Sequence, residues 1–139
     1  MSGFAELLHD AGFTVKGSDA NRSKITEHLQ SLGVEVLYGQ KSNNITSDID
    51  FVVYTAAIHP DNPEFRAAKE MGLPMMERAE MVGQVMKNYT NAIGVSGTHG
   101  KTTTTSMLTH IFLAAKKDPT ISVGGILDAI HGNIRVGHS

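Results

Sequence analysis

The chain has 139 residues, of which 40% are hydrophobic and 19% are charged, and its formal net charge is -2. This balance is typical of a folded domain and gives no broad basic surface for nucleic acid or an anionic membrane. There is no cysteine, no apolar run of about 18 residues and no signal-peptide pattern, so we expect no thiolate metal site, no membrane insertion and a small-molecule partner in the cytoplasm.

The first part of the chain alternates helix-like and strand-like segments. Phe4, Leu7, Leu8 and Ala11 lie on one helical face, and Gly12 ends that helix. The run 51–54 is β-branched and aromatic throughout, as in a strand buried on both faces. In chain order we predict a helix at 3–12, a strand at 14–19, a helix at 22–32, strands at 34–38 and 51–54, and helices at 62–71 and 77–87.

The second part repeats the alternation after the polar stretch 87–91, which we take as the domain boundary. Here we predict a strand at Ala92–Ser96, a turn at 97–100, a helix at 101–115 and a strand at 120–123. Strands that alternate with helices favour parallel strands, βαβ crossovers and an α/β fold.

The sharpest motif lies between the predicted strand at 92–96 and the helix that follows it. Glycines let successive backbone N–H groups surround phosphate oxygens, and the first turn of a helix directs further N–H groups at the same anion. A lysine there can reach the β- and γ-phosphates, and the hydroxyl beside it can bind Mg²⁺. The residues of this predicted phosphate loop are Gly97, Thr98, His99, Gly100, Lys101, Thr102 and Thr103.

The motif departs from the general P-loop pattern at one position. That pattern requires a glycine five residues before Gly100, where this chain has Val95, and the first loop glycine is Gly97. A second interpretation of the same residues is an ordinary glycine-rich turn that leads into a helix with an exposed lysine.

The shortened spacing resembles the nucleotide loop of the Mur ligase family, and the central histidine with the threonine run is most similar to the loop of the L-alanine-adding member. The resemblance covers essentially the whole chain. The other segments that carry it are Met1–Leu8, Gly17–Asp19, Thr55–Ile58, Asp61–Glu64, Arg78–Met81, Gly124–Gly125 and Asn133–Gly137.

The resemblance implies two domains. Residues 1–89 are expected to form a UDP-sugar-binding domain with an incomplete Rossmann-like parallel sheet, lacking the family's first strand and most of its first glycine-rich turn. Residues 90–139 are expected to begin a P-loop α/β domain that binds ATP. The family's acidic Mg²⁺ ligands and its amino-acid domain would lie beyond the chain, which we therefore expect to be inactive alone.

The same resemblance implies a bacterial, cytoplasmic enzyme of peptidoglycan synthesis. Its reaction would be the ATP-dependent, ADP-forming ligation of L-alanine to UDP-N-acetylmuramic acid through an acyl phosphate. ATP and Mg²⁺ are the implied cofactors, with Lys101 and Thr102 as catalytic residues and Thr102 as a Mg²⁺ ligand. Other interpretations are another Mur ligase, a non-catalytic nucleotide-binding module, or a P-loop NTPase of unrelated role.

The candidate UDP-sugar contacts follow two predicted strands. Ser18 and Asp19 end one strand, and Thr55 and Ala56 come directly after another. Ligands of open α/β sheets bind at such strand ends, and an acid there often accepts a ribose hydroxyl. Asp19 as a turn aspartate bonded to nearby backbone, and Thr55 with its neighbours as a plain loop, are the structural alternatives.

Two further polar residues allow two interpretations each. His99 either contacts the nucleotide or contributes only its backbone to the loop. Arg135 either stabilises a transferring phosphate or is a solvated side chain. The other six histidines show no close metal-ligand spacing.

Overall fold

The computed structural model describes all 139 residues, which divide into two units, Met1–Asn88 and Tyr89–Ser139. The division falls one residue before the boundary expected from the sequence. No helix is long and apolar enough to cross a membrane.

The first unit contains two βαβ segments after an initial helix. Helix α1 spans Ser2–Asp10; strand β1 (Lys16–Asp19), helix α2 (Lys24–Ser31) and strand β2 (Glu35–Tyr38) follow. After a 3-10 turn at Ser42–Asn44 come strand β3 (Val52–Tyr54), helix α3 (Pro63–Glu70), strand β4 (Met75–Glu77) and helix α4 (Arg78–Met86).

Each pair of strands in this unit is parallel, because a helix carries the chain back between them. In the first pair Lys16 lies opposite Glu35 and Asp19 opposite Tyr38. In the second pair Val52 lies opposite Met75 and Tyr54 opposite Glu77. The α/β class with small parallel sheets is thereby confirmed, although β4 was not predicted.

Two helices of this unit begin at side-chain caps. Ser23 and Thr26 form a capping box at the start of α2, in which each side chain bonds the backbone N–H of the other residue. Asn62 caps α3 by accepting from the N–H groups of Glu64 and Phe65, and Pro63 occupies the first helical position. The helix start predicted at Asn62 is confirmed.

The core of the first unit is small, and the run at 51–54 is half-buried instead of fully buried, because few other elements cover the two short sheets. Tyr54 meets the edge of Phe65 at 5.1 Å between ring centroids, and Phe13 meets Phe51 at 6.5 Å. The buried apolar side chains are Phe4, Leu7, Leu29, Val34, Ala67, Ala68 and Met81.

The second unit consists of helix α5 (Lys101–Ala114), strand β5 (Ile121–Leu127), a 3-10 turn at Asp128–Ile130 and strand β6 (Gly132–Arg135). β5 and β6 are antiparallel, with Ile121 opposite Arg135. The expectation of parallel strands is wrong here, because a connection of four residues can only reverse the chain, whereas a parallel return needs a crossover of a dozen residues or more.

The strand predicted at Ala92–Ser96 is also wrong. The segment is mostly exposed and pairs with no strand. A strand exists only as part of a ladder. In this unit β5 and β6 pair with each other, so the apolar pattern of the segment finds no partner.

Candidate functional site

The predicted phosphate loop leads directly into α5. Gly100 is the N-cap of this 14-residue helix, with φ at 78°, a left-handed conformation that glycine adopts without steric penalty. No side chain caps the helix. Its first backbone N–H groups are therefore open to solvent, and with the positive end of the helix dipole they form a surface that attracts anions.

Lys101, the first residue of α5, folds its side chain back over the loop. Its ammonium group donates to the carbonyl oxygen of Gly97 at 2.6 Å and to that of Thr98 at 3.3 Å. All seven predicted loop residues are exposed. The positive charge is thus held beside the open helix start without an acidic partner in the loop.

The hydroxyl-bearing residues of α5 divide into two groups. Those deeper in the helix donate to carbonyl oxygens four residues earlier: Thr105 to Lys101 at 2.8 Å and Ser106 to Thr102 at 2.7 Å. These bonds do not use the hydroxyl of Thr102, which remains at the exposed first turn. A Cβ at Gly125 of β5 would lie 3.7 Å from the Thr102 methyl group, so the strand passes close to this side chain.

Thr102 offers one hydroxyl oxygen to a cation. The chain contains no group of three or more histidine, cysteine or acidic side chains that could hold a metal ion. Thr102 thus remains the single Mg²⁺ ligand predicted within these 139 residues.

A second polar cluster lies in the first unit, where the carboxyl ends of β1 and β2 meet. Glu64, in the first turn of α3, accepts from the Ser18 hydroxyl at 2.6 Å and from the Asn44 amide nitrogen at 2.7 Å. The same Asn44 nitrogen also donates to the carbonyl oxygen of Gly39 at 2.8 Å. We call Ser18, Asn44 and Glu64 the Glu64 cluster; its three side chains are half-buried.

Asp19 is exposed beside this cluster. One of its carboxylate oxygens accepts from the backbone N–H of Asn21 at 3.0 Å, as expected for a turn aspartate. The other oxygen has no such backbone bond, so the turn role and a ligand role are compatible.

Thr55 and Ala56 lie at a cavity of about 560 Å³ at the carboxyl ends of β3 and β4. Charged side chains face them across this cavity, since Glu77 ends β4 and Arg78 begins α4. The guanidinium of Arg78 also lies over the Phe4 ring, 5.8 Å from its centroid. The remaining lining residues are Ala57, Ala79 and Val82.

The structure brings Ser18 and Asp19 to the end of one strand pair and Thr55 and Ala56 to the end of the other. Sequence reasoning missed the roles of Glu64 and Asn44. Glu64 resembles an ordinary acid in the first turn of a helix, and its partner Ser18 is 46 residues away. No local signal marks that contact.

Arg135 is bound to two neighbours within the second unit. Its guanidinium donates to the Asp118 carboxylate at 2.5 Å and to the carbonyl oxygen of Pro119 at 2.7 Å. This arginine lowers the pKa of Asp118 below its ordinary value, and the backbone N–H of His138 acts in the same direction. Arg135 is a structural residue that ties β6 to the turn before β5.

Comparison with known proteins agrees with this architecture. Residues 1–90 match the model of the Mur ligase family, catalytic domain. Over all 139 residues the chain is 63% identical to UDP-N-acetylmuramate–L-alanine ligases from Agathobacter rectalis and Lachnoclostridium phytofermentans, and it covers 30% of each of them.

Two solved structures share the fold. A UDP-N-acetylmuramate-alanine ligase from Thermotoga maritima superimposes with a TM-score of 0.89 at 34% identity, over 99% of this chain and 32% of that one. A UDP-N-acetylmuramate:L-alanyl-gamma-D-glutamyl-meso-diaminopimelate ligase from Neisseria meningitides gives 0.90 at 28% identity, over 100% and 44%.

The curated relatives and both solved structures are named as ligases of UDP-N-acetylmuramate. The chain belongs to the Mur ligase family, as the loop at Gly97–Thr103 and the other resembling segments predicted. It spans about 30% of the length of the curated relatives it matches.

Proposed function

We propose that the chain is part of an ADP-forming ligase that joins L-alanine to UDP-N-acetylmuramic acid in the cytoplasm of a bacterium. The observation that carries this proposal is the 63% identity, along the entire chain, to enzymes named for that reaction. Those enzymes are about three times longer than these 139 residues, so we propose the complete reaction for a protein of their length and expect the 139 residues alone to be inactive.

In this proposal the second unit begins the ATP domain. The open start of α5 receives the phosphates, and Gly97, Thr98, His99, Gly100 and Thr103 surround them with backbone N–H groups. Lys101 exchanges its bonds to the loop carbonyls for the charge of the γ-phosphate, and the free position of the Thr102 hydroxyl suits a Mg²⁺ ligand. Bound Mg²⁺ would supply further neutralisation of phosphate charge.

The first unit binds the UDP-sugar. Ser18 and Asp19 at the end of β1, and Thr55 and Ala56 at the end of β3, lie where parallel strands present ligands. The division of the chain after Asn88 supports assigning these two ligands to separate units.

The reaction follows from these positions. The carboxylate of the UDP-sugar attacks the γ-phosphorus of ATP, the bond to the β–γ bridging oxygen breaks, and ADP leaves. The amine of L-alanine then attacks the acyl carbon, loses a proton and displaces phosphate to form the amide. The residues described here orient and neutralise the phosphates, and none of them forms a covalent bond to substrate.

The test uses the full-length parent enzyme. Release of ADP is measured with Mg²⁺-ATP, UDP-N-acetylmuramic acid and L-alanine, and each substrate is omitted in turn. We expect release only when all are present. Release with the tripeptide L-alanyl-γ-D-glutamyl-meso-diaminopimelate, but not with L-alanine, would transfer the proposal to another Mur ligase. Hydrolysis of ATP that ignores the UDP-sugar would indicate an unrelated NTPase.

The 139-residue chain provides a second measurement. A ligand that binds only the folded state raises the unfolding midpoint. We expect UDP-N-acetylmuramic acid to stabilise the first unit and Mg²⁺-ATP to stabilise the second, while neither supports turnover by the chain alone.

A further inference from the structure

The Glu64 cluster determines the direction of the hydrogen bonds at the ends of β1 and β2. A carboxylate can only accept hydrogen bonds, so the Ser18 hydroxyl must donate its one proton to Glu64. The oxygen of Ser18 keeps its lone pairs and can then only accept from another group.

The same constraint acts on Asn44. Its amide nitrogen lies between two groups that can only accept, the Glu64 carboxylate at 2.7 Å and the Gly39 carbonyl oxygen at 2.8 Å. Both amide protons are therefore used, and the orientation of the amide is fixed. The Asn44 side-chain oxygen is left as a second acceptor.

Glu64 itself is held firmly. Asn62 caps α3 with two bonds, to the N–H groups of Glu64 and Phe65, and its own amide nitrogen donates to the Gln40 side chain. The carboxylate also lies in the first turn of α3, where the helix dipole favours a negative charge. The cluster thus connects α3 to the carboxyl ends of both strands.

We propose that Glu64 is a positioning residue that leaves the side chains of Ser18 and Asn44 able only to accept hydrogen bonds from a ligand, so that they select donor groups of the bound nucleotide-sugar. Uridine offers two kinds of donor, the ribose hydroxyls and the N3–H of uracil. The inference rests on the proposed binding of the UDP-sugar by the first unit, and it adds the chemical sense of the contact and the residue that imposes it.

Glu64→Gln is the diagnostic change, because it keeps the shape of the side chain and reverses one bond. A glutamine can still accept from Asn44 through its oxygen, but its nitrogen must donate to Ser18. The Ser18 proton is then released and faces the ligand. A purely structural role would tolerate this isosteric change.

In the full-length enzyme we expect Glu64→Gln to raise the KM for UDP-N-acetylmuramic acid about tenfold, the worth of roughly one hydrogen bond. The kcat and the KM for ATP should stay within about twofold, and the unfolding midpoint should fall only slightly, because the interaction of the Glu64 charge with the helix dipole is lost. Glu70→Ala, at the exposed end of the same helix, serves as the control. An unchanged KM for the UDP-sugar in Glu64→Gln would overturn the inference.

Nucleotide analogues identify the donor. Inhibition constants are measured for UDP, 2′-deoxy-UDP, 3′-deoxy-UDP and N3-methyl-UDP with the wild type and Glu64→Gln. We expect the wild type to discriminate against one kind of analogue, ribose or base, and Glu64→Gln to lose that discrimination. Equal discrimination by both proteins would contradict the inference.

Ser18→Ala provides an independent route if Glu64→Gln impairs folding. It removes the acceptor and leaves α3 and its cap intact. The analogue that inhibits the wild type less well than UDP should therefore inhibit Ser18→Ala about as well as UDP does. If the wild-type parent does not bind UDP-N-acetylmuramic acid at all, the proposed function itself fails. If it binds the UDP-sugar but all analogues behave alike, only the role of Glu64 fails.

Discussion

The ends of β1 and β2 in the first unit and the start of α5 in the second treat their polar groups in opposite ways. In the first unit, side chains close the ends of β1 and β2 through the Glu64 cluster, and caps satisfy the starts of α2 and α3. In the second unit, α5 starts without a side-chain cap, and Lys101 bonds only to the loop that precedes it. The first arrangement is preorganised by bonds within the protein, whereas the second leaves donors for a ligand to satisfy.

The difference predicts where substitutions will separate function from folding. A substitution in the loop Gly97–Thr103 should lower the catalytic activity and leave the fold intact. At the tight contacts elsewhere in the second unit, and at the caps of the first, a change should act on stability.

The largest expected effect comes from Lys101→Ala in the parent enzyme. Loss of a charge aimed at the transferring phosphate should lower kcat by about 10²–10³-fold, the usual cost of removing one such group. The side chain is exposed, so the unfolding midpoint should hold. Steady-state release of ADP measures the effect, with Lys117→Ala, an exposed lysine after the same helix, as the matched control. Equal activity of the two variants would remove Lys101 from the site.

Gly137→Ala should have the largest effect on stability. Gly137 is buried, and a Cβ there would overlap the carbonyl oxygen of Asp118 and the backbone of Pro119. Because the obstacle is backbone, relief requires the strand end to move, at a cost of about 1–3 kcal/mol. Amide hydrogen exchange in β5, measured by mass spectrometry on the 139-residue chain, should accelerate accordingly.

The control for that change is Gly124→Ala in β5, where an added Cβ meets nothing within 4 Å. Protection of β5 should be nearly unchanged in this variant. Equal loss of protection in both variants would show that the close approach at Gly137 is not the cause.

The first unit offers the corresponding test at a cap. Ser23→Ala removes the acceptor for the Thr26 N–H and should destabilise this unit by about 1 kcal/mol. The unfolding midpoint by circular dichroism measures it, and Ser31→Ala, an exposed serine at the other end of α2, is the control. A midpoint as high as that of the control would show that solvent replaces the cap.

The same contrast explains which features were predictable. The start of α3 was predictable, because Asn62 and Pro63 are local signals of a helix start. The loop at Gly97–Thr103 could be proposed from the sequence, since its residues are consecutive, and its phosphate-binding role stays a prediction. Strand β4 was missed because its three residues form a strand only by pairing with β3. The strand at 92–96 was predicted from its composition alone, and composition does not supply a partner.

The candidate site residues divide along the same line. Ser18 and Asp19 could be selected because they end a strand, which the sequence marks. Glu64 and Asn44 could not, since they contact partners 46 and 20 residues away. The ion pair of Arg135 could not be predicted either, because its carboxylate partner, Asp118, lies 17 residues before it.

The smallest expected effect concerns that ion pair and its dependence on pH. Arg135 lowers the pKa of Asp118 in the folded state below the ordinary 3.8, so the carboxylate stabilises the fold when it is ionised. A depressed folded-state pKa contributes stability above pH 3.8, and this contribution is lost as the pH falls below that value through the lower folded-state pKa.

Asp118→Asn should be less stable than the wild type near neutral pH and should lose less stability on acidification. Urea midpoints between neutral and acidic pH measure this, with Asp128→Asn, an exposed aspartate of the same unit, as the control. The effect should be modest, because both partners are partly exposed and water screens their charges. Parallel pH profiles for Asp118→Asn and the wild type would mean that the hydrogen bonds hold the end of β6 in place, and not the charge of Asp118: Arg135 donates to the carbonyl oxygen of Pro119, and the backbone N–H of His138 donates to the side chain at position 118.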